Sequence, residues 1–476
     1  MERAQHDPGE RRERGSQRKG RGMIPETQKR TLPNGLTLWL VEHHSLPLIV
    51  SSVVVRAGSD CDPEGKSGLA SLTAEALDAG THASSLAAIA ERFEFVGAAF
   101  RPQTYHDGSV FTLSTLAGHF QETFGVVADL LLNAVYPPEE VERLRRQRLT
   151  GLLQQKDRPA TIATKVFNRH LFGRVHPYGT DAGGDEPGLE NILQTDLRAF
   201  HDRHYAPDRT ILIAVGDITM PVLLAQVSGA LAHWENGRGT AVRRSFATAP
   251  AAGGLVIVDR PGSVQSEIRL GGIGIARNAD DFYAIAVMNR ILGGQFSSRL
   301  NANLREKRGL TYGVWSTFQA LRTPGPFVAG GAFHTEKTAE AASELLRELE
   351  LMRSGGISDE ELQFAQESLA GSFALAFETP AQVAQALSVI PLYGLPEDTF
   401  ATYVPRLRGV TREDVLRVAR AYLDTSKMIM VVAGDAARIV PTLKELRPGA
   451  LMYASADGDI LDAGSHPGPQ GNAVRS

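Results

Sequence analysis

The sequence predicts an α+β protein of two similar halves, each a mixed or antiparallel sheet packed with helices. Three observations lead there. Strand-like and helix-like stretches are mixed along the 476 residues without strict βαβ alternation. One compound segment occurs twice, at Thr195–Asp217 and Glu413–Asp435, about 218 residues apart. A polar, Gly/Ala-rich stretch lies between the two occurrences. At roughly 100–200 residues per domain, the length fits two to four domains.

The elements follow in order. Residues 1–22 hold seven Lys/Arg and four Asp/Glu with almost nothing apolar, so they predict a disordered tail, or an upstream start with Met23 as the true first residue. The folded part begins at "TLPNGLTLWLVE", where Asn34-Gly35 signals a turn and "LTLWLVE" alternates as a strand. "LPLIVSSVVVRAGS" is a β-branched run, and helical periodicity takes over from Gly68. The repeated segments, "TDLRAFHDRHYAPDRTILIAVGD" and "EDVLRVARAYLDTSKMIMVVAGD", each read as helix, short turn, apolar strand and Gly-Asp. The second half opens with "SEIRLGGIGIA" and the helical "DDFYAIAVMNRILGG". The boundaries expected are a tail over 1–22, a half over 23–235, a linker over 236–253, a half over 254–456 and a tail over 457–476.

Composition removes several functions. A net charge of −4 argues against a nucleic-acid binder, which needs a broad basic surface. Cys61 is the only cysteine, which excludes intramolecular disulfides and Cys-based zinc clusters; no motif around it marks a nucleophile. No apolar run approaches the ~20 residues of a membrane span, and the longest is broken by Asp217. No membrane insertion is therefore expected. The expected location is cytoplasmic, or periplasmic should the true N-terminus differ.

Most histidines suggest no site. His43 and His44 fall at a strand end; His106 and Asp107 fall in "QTYHDGSVFTL", where Asp-Gly is turn chemistry. His201 and His204 share a helix face without a clear carboxylate partner. "GGQFSSRL" is Gly-rich but lacks the Lys and spacing of a phosphate loop, and reads as a helix-terminus turn.

The stretches "VVVRAGSDCDPEGKSGLASLTAEALDAGT" and "ILGGQFSSRLNANLREKRGLTYGVWS" stand out, with "HPYG" at His176–Gly179 and "HYAPDRTILIAVGD" at His204–Asp217 in support. Together they resemble the pitrilysin/insulinase family of zinc metallopeptidases, the processing peptidases among them. The resemblance runs from about Met23 to Asp435 and implies half of a clam-like chamber closed by two such chains.

In active relatives, two His of H-x-x-E-H bind zinc and the Glu between them is the general base. Residues four apart on a helix face one way, and zinc makes its bound water acidic enough to attack a peptide carbonyl. Aligned on Gly68-Leu69-Ala70 and Gly80-Thr81, the His positions fall on Ser71 and Glu75, and the base on Ala74. The third ligand, a Glu on the helix "PEEVERLRRQRLTGLLQQKDRP", falls on Gly151, and a further acidic position on Leu144. Three ligands of His, Glu or Cys type are what zinc normally takes, so no metal is expected in this chain. Glu75 is expected as a solvated or hydrogen-bonded helix residue in a closed-over site.

The second half keeps a different motif. Relatives supply an Arg and a Tyr seven residues apart that grip the substrate backbone; "LREKRGLTYG" places them at Arg305 and Tyr312, with Lys307 and Arg308 as solvated charge. A guanidinium donates to peptide carbonyls, and a phenol can donate to a developing oxyanion. The resemblance therefore implies a non-catalytic subunit whose partner is a homologous zinc-bearing chain, with unfolded peptides as substrates and no activity alone. The alternatives are a scaffold or core-type subunit of a larger complex, or a cavity-type peptide-binding protein without proteolysis.

Overall fold

A computed structural model describes residues 26–235, 253–446 and 450–461. The expected first tail and all of the expected linker but residue 253 lie outside the described residues. In the first half β1 (Gln28–Thr31), β2 (Thr37–Glu42) and β3 (Leu48–Val55) lead to α1 (Leu69–Glu75) and α2 (Leu86–Phe95). The hairpin β4 (Ala99–Thr104) and β5 (Ser109–Leu116) follows. Then come α3 (Phe120–Asn133), α4 (Pro138–Gln155), α5 (Pro159–Phe172), α6 (Glu186–Glu190) and α7 (Gln194–His204). Strand β6 (Thr210–Gly216) and α8 (Met220–Ala230) end the half.

The second half repeats that order. Strands β7 (Gly254–Asp259) and β8 (Gln265–Ile273) lead to α9 (Phe282–Leu292) and a π-helical segment, Asn301–Lys307. The hairpin β9 (Val314–Phe318) and β10 (Pro326–His334) follows. Next are α10 (Thr338–Ser354), α11 (Asp359–Leu375), α12 (Pro380–Tyr393), α13 (Thr399–Arg408) and α14 (Arg412–Tyr422). Strand β11 (Ile429–Gly434), α15 (Ala436–Leu446), β12 (Leu451–Ala454) and β13 (Ile460–Leu461) complete it.

The sheets confirm the internal repeat. Their orders are β1-β2-β6-β3-β5-β4 and β13-β12-β7-β11-β8-β10-β9. Replacing β2, β6, β3, β5 and β4 by β7, β11, β8, β10 and β9 turns one order into the other. The senses agree too: β2–β6 and β7–β11 are parallel, and the remaining pairs of this five-strand set are antiparallel. The two sequence repeats are α7–β6 and α14–β11.

Each sheet packs its own helices on one face. On the other face the halves exchange a helix. From α5, Ile162, Val166 and Phe167 pack on Val256, Val328 and Val431 of the second sheet. From α12, Val383, Leu387 and Ile390 pack on Trp39, Val50 and Val215 of the first. Helices α5 and α12 occupy the same place in the repeat, so the exchange is reciprocal.

The expected tail from 457 is corrected in part. Ile460 and Leu461 pair with Ala454 and Tyr453, and the Asp457 carboxylate accepts from Lys165 Nζ on α5. Residues 462–476 lie outside the described residues. Among the described residues, no helix is long and apolar enough to cross a membrane.

Candidate functional site

Helix α1 is set in place at its start. The Asp62 carboxylate accepts from the N–H groups of Gly68 (2.8 Å) and Ala70 (2.7 Å), satisfying donors that a helix N-terminus leaves open. Gly68 has φ +95°, and a Cβ there would stand 2.6 Å from the Gly183 carbonyl oxygen. Only glycine lets the 183–184 loop approach so closely.

From that start, Ser71 and Glu75 emerge on one face, and Ala74 turns into the core with 1% of its surface exposed. Across from them runs α4, where Leu144, Arg148 and Gly151 share a face at helical spacing. Arg148 fills the space between the helices. Its Nε donates to Glu75 Oε2 at 2.6 Å, its Nη2 to Ser71 Oγ at 2.8 Å and its Nη1 to the Gly183 carbonyl at 3.0 Å. Leu144 is buried among core residues, and Gly151 contributes no side chain.

These residues do not fit zinc. The only carboxylate is already held by a guanidinium, and that fixed positive charge opposes a dication. Among the described residues, no group of three or more His, Cys, Asp or Glu could hold a metal ion. The sequence reading missed Arg148; its spacing, three residues from Gly151 and four from Leu144, puts it on their face of α4.

The second half presents Arg305 and Tyr312 on a built platform. Asn301 ties the turn after α9 to β9: its Nδ2 donates to the carbonyls of Val314 (2.7 Å) and Gln295 (3.3 Å). Asn303 anchors the same π-helical segment from behind, donating to Glu344 (2.7 Å) and Glu348 (2.8 Å) on α10. Single π-helical turns recur at functional positions. Arg305 stands on this segment with its guanidinium carbon 4.1 Å from the ring centroid of Phe296, in cation–π range. Its Nη1 is shielded from solvent and bonded to no acceptor. Thr311 Oγ1 donates to the Ala332 carbonyl of β10 at 2.7 Å, which fixes the turn that carries Tyr312. The Tyr312 side chain is 95% exposed, and Phe296 is 66% exposed.

The other candidates are structural. His44 bonds Asp217 (2.7 Å) and Glu42 (3.2 Å) at the strand end, and His43 lies beside Ser45. His201 and His204 are buried; His201 bridges the Tyr136 hydroxyl (2.8 Å) and the Leu131 carbonyl (2.9 Å). Cys61 is partly buried beside Asp60. Arg308 is less free than expected, pairing with Glu344 at 2.8 Å and with Asn303 at 3.1 Å.

One expectation needs correcting outright. Asp107 is no mere turn residue: it is 1% exposed and joins the halves. It accepts from the Arg322 backbone N–H (2.9 Å), from Arg322 Nη2 (3.2 Å) and from the Tyr178 hydroxyl (2.8 Å). Arg322 also bonds Asp60. His106 packs on Tyr178 and accepts from or donates to Ser59 at 2.9 Å. Nearby His176 is held neutral, burial pushing it down to about 4.

Two family models match in tandem: "Insulinase (Peptidase family M16)" over residues 40–173 and "Peptidase M16 inactive domain" over residues 191–369. The chain is 25% identical over 420 residues to an uncharacterized zinc protease of Streptomyces coelicolor, spanning 87% of this chain and 91% of that one. It is 27% identical over 402 residues to one of Mycobacterium tuberculosis, spanning 83% and 90%. Among solved structures, a peptidase M16 inactive domain from Pseudomonas fluorescens superposes with a TM-score of 0.79 at 28% identity, covering 86% of this chain and 98% of that one. A protease from Helicobacter pylori gives 0.80 at 20% identity, covering 86% and 100%, a likeness of fold.

Proposed function

The chain belongs to the M16 (insulinase) family of peptidases, and from that membership and its two contrasting half-sites we propose that it is the non-catalytic subunit of a heterodimeric zinc metallopeptidase. The observation that carries the reading is Arg148. A guanidinium bridges the two positions where active relatives place their zinc histidines, and the general-base position is the buried Ala74. At these positions the chain then offers neither ligands for a metal-bound water nor a base to deprotonate one.

What it contributes is grip. Zinc, carried by a homologous partner chain, would supply the activated water. Arg305 would donate to a carbonyl of an unfolded peptide held in a chamber closed by the two chains. Tyr312, standing free on its turn, would donate to the oxygen that gains charge during attack; such donors act best where water is excluded. A rigid anchorage at Asn301 and Asn303 supports that role, since a gripping side chain must be held before substrate arrives.

The test is co-purification of the chain with a partner bearing H-x-x-E-H, zinc analysis of the pair, and cleavage of a quenched peptide. The expected result is one zinc per pair and activity that needs both chains. Arg305→Ala should lower turnover by loosening the gripped peptide, without dissociating the pair, and Tyr312→Phe should lower it by about a hundredfold, the usual loss for one transition-state donor. Unchanged turnover removes Arg305 from the site. A second reading, peptide binding without cleavage, is favoured by the exposure of Phe296 and Tyr312 together. Peptide binding by the lone chain, with no partner recovered, would select it.

A further inference from the structure

A cavity of about 200 Å³ lies beside the Arg305 platform, between α9, the far end of β9 and α11. Its walls are Ile275, Phe282, Ile285, Phe318, Ala320 and Leu369. Three polar residues, Asn289, Arg290 and Thr317, also line it, and the polar ends of the first two are committed elsewhere. Asn289 donates to the Ser316 carbonyl at 3.1 Å and accepts from Ser316 Oγ at 2.7 Å. Arg290 donates to Ser368 Oγ at 2.6 Å and to the Gly294 carbonyl at 3.1 Å. What remains for an occupant is mostly apolar surface.

Size narrows the occupant. Pockets that hold whole small ligands measure about 300–1,000 Å³. This one is smaller and suits a single side chain.

Position ties the cavity to the platform at both ends. Gly294 belongs to its wall and stands two residues before Phe296, whose ring underlies Arg305. Thr317 and Phe318, also in the wall, follow Tyr312 by five and six residues along β9. At about 3.4 Å per residue that is roughly 17–20 Å, which an extended peptide covers in the same number of residues. The peptide cannot pair with β9 as a further strand. The outer edge is already taken: Asn301 bonds Val314, and the Ser316 N–H donates to the Gly293 carbonyl at 3.1 Å. A side-chain pocket is what the edge leaves for recognition.

We infer that this cavity is a specificity subsite, taking one medium-sized apolar side chain (Leu, Met or Phe) of the peptide that Arg305 and Tyr312 hold. The inference rests on the gripping role given to those two residues. It makes the substrates extended peptides with an apolar residue a few positions from the gripped carbonyl.

The experiment is fluorescence anisotropy on the full chain with two labelled unfolded peptides, identical but for a single Leu or Ser. The Leu peptide should bind about tenfold more tightly, the return expected from burying one aliphatic side chain. Ala286→Leu, which fills the cavity from α9, should abolish that preference and leave the affinity for the Ser peptide unchanged. Ala320→Leu fills it from the opposite wall and serves should the first variant fail to melt as a folded protein. Arg305→Ala should weaken both peptides alike. Equal affinity of the unmodified chain for both peptides overturns the subsite, as does a preference that survives both fillings, or no binding of either peptide. If Arg305→Ala changes nothing while the Leu preference persists and is abolished by filling, the subsite stands and the gripping role falls.

Discussion

Arg148 is one of four arginines in α4, and only its placement distinguishes it. At that position the side chain meets Glu75, Ser71 and the Gly183 carbonyl together, so α1, α4 and the 183–184 loop close on one guanidinium. Arg148→Met should cost about 1 kcal/mol in chemical denaturation, since the pair is partly exposed and each charge-assisted bond is worth little more than that net. Adding Glu75→Gln to Arg148→Met should then cost almost nothing further, which a double-mutant cycle reads directly. Metal analysis gives a sharper test. Restoring Ser71→His, Ala74→Glu, Glu75→His and Gly151→Glu should yield a zinc site only when Arg148 is also made small and neutral. There is space for the new carboxylate, because a Cβ at Gly151 meets nothing within 4 Å. Stoichiometric zinc with Arg148 intact would show that the guanidinium does not block the position. A second residue sets a pH limit. His204 is buried on α7, and burial, with Arg203 and Arg209 nearby, pushes it down to about 4. Its folded value lies below its unfolded one, near 6.5, so the stability tied to its neutral form is complete above 6.5 and is lost as pH falls toward 4. The midpoint of urea unfolding should drop across that window, and less so in His204→Gln.

At the scale of elements, the reciprocal exchange of α5 and α12 makes each half part of the other's core. Leu387 on α12 is buried against strands of the first sheet. Leu387→Ala should cost about 3 kcal/mol, a usual price for a core leucine. Hydrogen exchange should show β3 and β6 losing protection in that variant, although they lie in the other half of the sequence. Protection lost only within α12 would mean that the contact adds little. The exchange also explains what was legible beforehand. The repeat was visible because α7–β6 and α14–β11 are contiguous in the chain and carry their own turn and strand signals. The amphipathic pattern of α5 says that one face is buried, but not against which sheet. The strand Ile460–Leu461 is two residues long, too short to show a period. Asp107 looked like a turn because Asp-Gly is a turn signal wherever it stands, and its partner, Arg322, lies 215 residues away. The positions of Ser71, Ala74, Glu75 and Gly151 could be aligned from the sequence. That Arg148 fills the space they leave could not be chosen from four arginines without the fold.

For the whole molecule, the halves meet at a second place besides the exchanged helices. The loop between β9 and β10 carries Arg322 into the first half, where it meets Asp60 and Asp107, and Tyr178 completes the group by donating to Asp107 and lying 3.4 Å from the Thr323 N–H. Both carboxylates are buried, and this guanidinium reaches them from across the junction. Arg322→Ala should therefore destabilise by about 3 kcal/mol, most of it the penalty for taking a cation away from buried carboxylates. Arg322→Lys should recover only part of the loss, because one nitrogen, Nη2, donates to both acids and a lysine ammonium stops one bond short of its place. The readout that isolates the junction is the shape of the unfolding curve. With the clamp intact, the exchanged helices and the ion pairs couple the halves, and denaturation should be a single transition. In Arg322→Ala, combined with Leu387→Ala, each half retains its own helix-covered core but loses contacts that made the other half's unfolding costly. Two transitions should then separate when followed by tryptophan fluorescence, since Trp39 reports the first sheet and Trp315 the second. A single transition in the double variant, merely shifted, would mean that α5 on the second sheet is sufficient to hold the molecule together as one cooperative unit.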